Sequence, residues 1–339
     1  MDYEVTRYET PVPDDLIQEI WAMWLKVPEQ VGMGPDISRL SGQLTNSEQA
    51  DDRKLLYVAR VDGRVAGTSM IWISGRDATM CEFGLPATSP EFRRRGIGQA
   101  LFDQPVSDFR EMGGEAMFLG TNHLPAGRVY YRAGYRKLVG SITLINILSG
   151  ESPEAYFVDY FRDLGLATVH PGHPTDRTSA IPLVHSPHDW QVMDCNVPTE
   201  SRRYFVHHGF SGKAGQYVAM LNDPKSTFFA ARAGGRQRVV GLSTALFVGD
   251  GVCSVDGFTH QYYKDQWSEL IESAMSWAKE RDADQLITTL SAEDYEKKDL
   301  FESLGFKQNG EEGEFYLDGV HLREYPEGRP VAAIKMEIF

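Results

Sequence analysis

The chain has 339 residues, 42% hydrophobic and 24% charged, with a formal net charge of −14. That length exceeds one ordinary core and points to two domains. No apolar run nears the roughly 20 residues that span a bilayer, and so acidic a surface disfavours nucleic acid as a partner. Cys81, Cys195 and Cys253 lie far apart with no CxxC pair, and the opening MDYEVTRYETPVPDD is acidic and polar. The expectation is a reduced, cytoplasmic protein, neither secreted nor membrane-bound.

Residues 13–27 carry apolar side chains at Leu16, Ile17, Ile20, Trp21, Met23, Trp24 and Leu25. That spacing predicts an amphipathic helix with Asp14 and Asp15 at its positive end. KLLYVARVDGRVAGTSMIWI predicts two strands joined by a hairpin turn at Asp62-Gly63. TMCEFGLPATS predicts a third strand, with Pro86 marking a bulge or break. SPEFRRRGIGQAL then leads into a helix from about Gly98, which Pro105 is expected to interrupt or kink. AMFLGT reads as a strand, PAGRVYYRAGY as a short helix ended by Gly134, and RKLVGSITLINIL as strand. A new helix opens behind Ser152, which places a boundary near residues 148–154 and divides the chain into 1–150 and 151–339.

The second part repeats the order. TFFAARAGGRQRVVGLSTALFV predicts a strand pair, GVCSVDGFTH a strand, DQWSELIESAMSWAKERD an amphipathic helix and QLITTL a strand. KKDLFESLGF predicts a short helix ended by Gly305, with EEGEFYLDGV and VAAIKMEIF as strands. Strand, long helix, strand, short helix and Gly-aromatic recur in both parts, as a tandem duplication would leave them. The fold class expected is α/β (α+β), two units each with a central mixed sheet flanked by helices.

The densest chemistry lies at Arg93, Arg94, Arg95, Gly96, Ile97 and Gly98. A strand ends there and a helix begins. Glycines let a ligand approach the backbone, and the first amides of a helix lack internal partners and carry partial positive charge. A pyrophosphate suits that position; a solvated basic turn is the bland alternative. The pattern lacks the Walker lysine, and it follows a hairpin and a third strand, where a Rossmann fingerprint would open a βαβ unit.

With Arg93, Gly96 and Gly98 in [Q/R]xxGx[G/A], and Ala126, Tyr130, Gly134 and Tyr135 in register downstream, residues 1–147 resemble the GNAT superfamily of N-acetyltransferases. The resemblance implies acetyl-CoA as cosubstrate, held by Arg93, Arg94, Arg95, Gly96, Ile97, Gly98 and Gln99, with Thr88 contributing backbone near the acetyl carbonyl. It implies that Tyr130 protonates the departing thiolate, a phenol being of comparable basicity; neighbouring Tyr131 competes for the assignment. His123, beside Asn122, and Ala126 fall at further CoA-contacting positions. Glu82, eleven residues before Arg93, matches the position of the glutamate base in histone-acetylating members of the family and stands in an otherwise apolar strand, where a charge is costly unless used or paired. His123 is the other candidate base, and a solvent-facing edge glutamate the plain alternative. Cys81 alternates to the opposite face from Glu82.

Aligning Leu101 with Leu270 sets Tyr262, Asp265 and Trp267 against Arg93, Gly96 and Gly98, and matching Gly305 to Gly134 sets Phe301 against Tyr130. The second part is then a degenerate unit, expected to close the acceptor pocket of the first. His170 and His173, and His185 and His188, make two HxxH pairs, but the Pro- and Gly-rich surroundings suggest an irregular linker, so no metal is expected. RRYFVHHGF, with His207 and His208, is taken as a strand or helix edge. The function expected is direct acetyl transfer to a primary amine of a small molecule in a ternary complex. Protein or peptide acetylation, or a non-catalytic CoA-binding sensor or scaffold, are the alternatives. The charge and the lack of a long basic helix disfavour tRNA-dependent aminoacyl transfer. A homo-oligomer is compatible with the sequence, and the acceptor segment, about residues 21–50, carries no readable motif.

Overall fold

The computed structural model describes residues 2–28, 36–45, 51–121, 127–139, 141–204, 210–317 and 329–339. The chain forms two compact units: Met1–Arg136 with Leu144–Pro153, and Lys137–Thr143 with Glu154–Phe339.

The first unit runs β1 (Glu4–Glu9), α1 (Asp14–Trp24), α2 (Ile37–Leu44), β2 (Arg53–Val61), β3 (Arg64–Ile73), β4 (Met80–Thr88), α3 (Ile97–Glu111), β5 (Ala116–Gly120), α4 (Gly127–Arg132), β6 (Arg136–Lys137) and β7 (Thr143–Ile147). The sheet order is β1-β2-β3-β4-β5-β7-β6. β2 and β3 are almost wholly buried, because apolar helices cover both sheet faces. Ile97, Leu101, Phe102, Val106 and Phe109 of α3 pack on one face with Tyr130 of α4. Leu16, Ile17, Ile20, Met23 and Trp24 of α1 pack on the other with Leu40 and Leu44 of α2.

Helix α3 runs unbroken from Ile97 to Glu111 with Pro105 inside it, which corrects the expected interruption. Pro105 cannot donate to the carbonyl four residues back, that of Leu101. The Ser69 hydroxyl of β3 donates to that oxygen instead, at 2.6 Å. Farther along, the Asp108 carboxylate accepts from Tyr57 Oη at 3.0 Å, Arg7 Nη1 at 2.8 Å and Gln104 Nε2 at 2.6 Å. These bonds tie α3 to β1 and β2 and so fix where its N-terminus lies.

The second unit contains α5 (Pro153–Tyr160), β8 (Ala167–Pro171), α6 (Asp176–Ser179), α7 (Ile181–His185), β9 (Val192–Asp194), β10 (Thr199–Glu200) and α8 (Phe210–Met220). It continues with β11 (Ser226–Ala233), β12 (Arg238–Gly249), β13 (Val252–Thr259), α9 (Trp267–Lys279), β14 (Gln285–Ser291), α10 (Tyr295–Ser303), β15 (Lys307–Leu317) and β16 (Arg329–Ile338). Its large sheet, read from the other edge, is β8-β11-β12-β13-β14-β16-β15. Position for position this is the strand order of the first unit, so the fold is two α/β units, each a mixed sheet flanked by helices. Matched details accompany the order. Ser243 Oγ donates to the Leu270 carbonyl at 2.7 Å, as Ser69 does to Leu101. Phe306 N–H bonds the Phe301 carbonyl as Tyr135 N–H bonds that of Tyr130, both at 3.0 Å, over glycines of positive φ, Gly305 (94°) and Gly134 (99°).

The histidines are more ordered than an irregular linker. His170 lies in β8 and His185 in α7. His185 and His188 are buried, and His188 Nε2 bonds the Leu183 carbonyl at 2.7 Å. No helix among the described residues is long and apolar enough to cross a membrane.

Candidate active site

The site is built where β4 and β5 part. They pair in parallel at Met80–Ala116, Cys81–Met117 and Glu82–Phe118, and there the register ends. Beyond Glu82, β4 pairs with β3 alone, and irregularly. Gly84 faces Met70 and Ala87 faces Thr68, so Leu85 and Pro86 together oppose Ser69 in a bulge. Leu85 takes φ 53°, and its carbonyl accepts from Thr68 Oγ1 at 3.0 Å, which in turn accepts from the Trp24 indole at 3.1 Å. That brace from α1 through β3 holds the bulge. It was not read from the sequence, where Trp24 and Thr68 look like ordinary core and strand residues.

Glu82, the last residue paired to β5, is buried at 4% exposure beside its cross-strand partner Trp72. Its neighbours Cys81 and Phe83 belong to the core under α3, so by strand alternation Glu82 faces the side covered by α1 and α2. Burial, and next the adjacent Glu82, hold the Cys81 thiol well above its usual pKa, which leaves it protonated and unreactive.

Tyr130 lies on the other face, 5% exposed, its ring 5.0 Å from that of Phe102. Burial raises its pKa above the ordinary 10, and a hydrogen bond with the Thr121 side chain draws it back. The phenol therefore keeps its proton at neutral pH and sits by the end of β5. Tyr131 is exposed with Arg136 over its ring, which separates the two neighbours: the buried one borders the split. Glu82 and Tyr130 thus flank the parting strands from opposite faces.

The arginine-glycine stretch links β4 to α3. Gly96 caps the helix at φ 86°, a left-handed conformation that favours glycine; Arg94 adopts φ 62° as well. The first helical bond runs from Ala100 N–H to the Gly96 carbonyl at 3.0 Å, so the amides of Ile97, Gly98 and Gln99 precede it. A Cβ on Gly98 would meet nothing closer than Thr88 Oγ1 at 3.7 Å. The protein's own packing does not demand glycine there, whereas a ligand reaching those amides would. Gln99 Nε2 donates to Asp103 at 2.7 Å, while its Oε1 is buried without a protein partner. These features fit a diphosphate at the helix start.

The arginines divide their work. Arg93 Nε donates to the Thr88 carbonyl at 3.1 Å and Arg95 Nη2 to that of Glu91 at 3.1 Å. Arg95 also lies over the Phe92 ring, 5.5 Å from its centre. All three guanidinium side chains are exposed and line an open groove of about 600 Å³ with Pro90 and Glu91. Asn122, His123 and Ala126, and residues 29–35 and 46–50 of the acceptor segment, lie outside the described residues. So do residues 205–209, with His207 and His208.

In the second unit the corresponding link is the 3-10 turn Gln261–Gln266. Thr88 pairs with Gly67 as Thr259 pairs with Gly241, yet 12 residues separate Thr88 from Leu101 and 10 separate Thr259 from Leu270. Counting back from the leucine therefore holds only inside the helix, for Gly98 and Trp267. The direct replacement of Arg93 by Tyr262 and of Gly96 by Asp265 gives way to a link shorter by two residues. Trp267 is buried and donates its indole N–H to the Gly257 carbonyl at 2.9 Å.

Residues 15–135 match the family model for the Acetyltransferase (GNAT) family. Among solved structures, an acetyltransferase of the GNAT family from Staphylococcus aureus Mu50 aligns at 15% identity and TM-score 0.36, over 43% of this chain and 99% of that one. A putative acetyltransferase of the GNAT family from Desulfovibrio desulfuricans aligns at 18% and 0.34, over 43% and 99%. A chimera of Vibrio cholerae spermidine N-acetyltransferase SpeG with hSSAT aligns at 13% and 0.37, over 51% and 95%. No curated protein matches in sequence. The family match takes in the first helix, the parting strands, the glycine link and the Tyr130 helix, so that residues 15–135 form a domain matching the Acetyltransferase (GNAT) family.

Proposed function

We propose that the first unit binds acetyl-CoA and transfers its acetyl group directly to a primary amine of a small molecule. The observation that carries this reading is the parting of β4 from β5 at Glu82, directly upstream of a helix start whose amides and glycines suit a diphosphate. A thioester arm laid from that helix start into the split would have its carbonyl between the two sheet faces. Glu82 then stands on the acceptor side and takes a proton from the incoming ammonium. The amine nitrogen bonds the acetyl carbon as the carbon–sulfur bond breaks, and the Tyr130 phenol gives its proton to the leaving thiolate. The nitrogen sheds its second proton to solvent as the amide forms, solvent restores the proton of Tyr130, and Glu82 releases the one it took.

Backbone amides of residues 93–98 would hold the diphosphate, with Arg94 adding attraction from an exposed position. Arg93 and Arg95 chiefly shape the link through the carbonyls they bond. The second unit takes no part in transfer on this reading: Trp267 fills the helix-start position and Phe301 lacks the hydroxyl. The test is release of CoA thiol by the purified chain across a panel of amines. Turnover with at least one primary amine is expected; neither binding nor turnover of acetyl-CoA would refute the reading. The pH profile separates the two candidate bases. Glu82→Gln should abolish the acid limb of kcat/KM if Glu82 is the base, and His123→Ala should do so if it is not.

A further inference from the structure

In the second unit β13 and β14 also part early. Their parallel register covers Val252–Gln285, Cys253–Leu286 and Ser254–Ile287 and then stops. Beyond it, residues 190–197 of the same unit lie against both strands. The Cys195 amide donates to Asp256 Oδ2 of β13 at 2.7 Å. Asn196 Nδ2 donates to the Ser254 carbonyl at 3.0 Å and to Thr244 Oγ1 at 3.1 Å. On the β14 side, Ser291 Oγ donates to Gln191 Oε1 at 3.1 Å.

Helix α10, the counterpart of the Tyr130 helix, and the residue before it grip the segment from its other end. The Asp294 carboxylate accepts the amides of Gln191 at 2.7 Å and Val192 at 3.1 Å. Lys297 Nζ donates to the carbonyls of Val192 at 3.1 Å and Met193 at 2.9 Å, and pairs with Asp256 at 2.6 Å. Trp190 packs its ring 4.5 Å from that of Trp267, the residue standing at the Gly98 position. Segment backbone groups thus find side-chain partners on the elements that correspond to β4 and the Tyr130 helix.

We propose that residues 190–197 are an internal peptide ligand of the second unit, seated across β13 and β14 in the slot that corresponds to the donor site of the first, and that they close it to an acyl-CoA arm. The equivalence of the two slots rests on the reading of the first unit given above; the seating of the segment does not. A peptide with two successive carbonyls aimed at one buried ammonium is the ligand this slot recognises, and the chain supplies it in cis.

Hydrogen exchange on the full chain tests the seating. Amides of residues 190–197 should exchange about a thousandfold or more below free-chain rates. Asp294→Asn and, separately, the milder Asn196→Ala should speed them about tenfold or more, leaving residues 226–240 of β11 and β12 unchanged. Free-chain exchange in the native protein, or an equal rise in residues 226–240 in both variants, would overturn the proposal. Closure is tested by CoA titration: one equivalent for the native chain and none for Gly96→Asp. One equivalent retained by Gly96→Asp would overturn closure. If the native chain binds no CoA, the reading of the first unit fails while the exchange result still decides the seating.

Discussion

Replacing Lys297 by Met should unseat the charge balance at the centre of the second unit. Lys297 and Asp256 are both 0% exposed and 2.6 Å apart. Removing the ammonium leaves a carboxylate in the interior with the amides of Cys195 and Gly257 as donors, and it strips the carbonyls of Val192 and Met193 of theirs. Breaking one side of a buried pair costs about 3–5 kcal/mol. For a unit of this size each kcal/mol moves the midpoint by about 2–4 °C, so Lys297→Met should melt about 6–20 °C lower. Thermal unfolding followed by circular dichroism reads this directly. The double variant Lys297→Met/Asp256→Asn should show a coupling of about 1–3 kcal/mol, because neutralising the stranded carboxylate relieves part of the loss. A loss under about 1 kcal/mol for Lys297→Met, with no coupling, would refute the placement of these two groups as a buried pair.

Other substitutions probe the remaining parts. Tyr130→Phe keeps the packing on Phe102 and removes the phenol, so kcat should fall about 10²–10⁴-fold with acetyl-CoA affinity nearly unchanged, as paired kinetic and titration measurements would show. Thr68→Val breaks the link from Trp24 to the Leu85 carbonyl and should cost about 1–3 kcal/mol in urea unfolding, with a higher KM for acetyl-CoA if the bulge shapes the donor site. The pH dependence of stability has opposing parts. Burial, and next the Asp256 carboxylate, push Asp194 from 3.8 up to about 7, so this group favours the folded state as pH falls through that window. Burial lowers His188 from 6.5 to about 4 and His260 to about 3, so their contribution is lost as pH falls below 6.5. Asp194→Asn removes the opposing group and should steepen the loss of stability between pH 6.5 and 4, measured by denaturant titration at each pH.

What the sequence made legible follows from locality. The glycine link, the strands around it and the repeated strand-helix order are each written in a few adjacent residues, and Gly96 at φ 86° shows why one of those glycines is needed. β1 escaped notice because its side chains are exposed or only partly covered, which leaves no apolar alternation to read. Pro105 pointed to a break that Ser69, far away in sequence, repairs at the Leu101 carbonyl. The internal ligand was hidden for the same reason: Asp256, Asp294 and Lys297 look like solvated charges until the fold gathers them around residues 190–197. Sites made of distant polar residues leave no period and no spacing along the chain.

The most direct test of the central claim is amine-dependent release of CoA thiol from acetyl-CoA by the purified native chain beside its Gly96→Asp variant. A carboxylate at a left-handed glycine of the helix start is both strained and repelled by a diphosphate. The account predicts release that depends on a primary amine in the native chain and none in the variant. No amine-dependent release from the native chain, or equal release from Gly96→Asp, would contradict it.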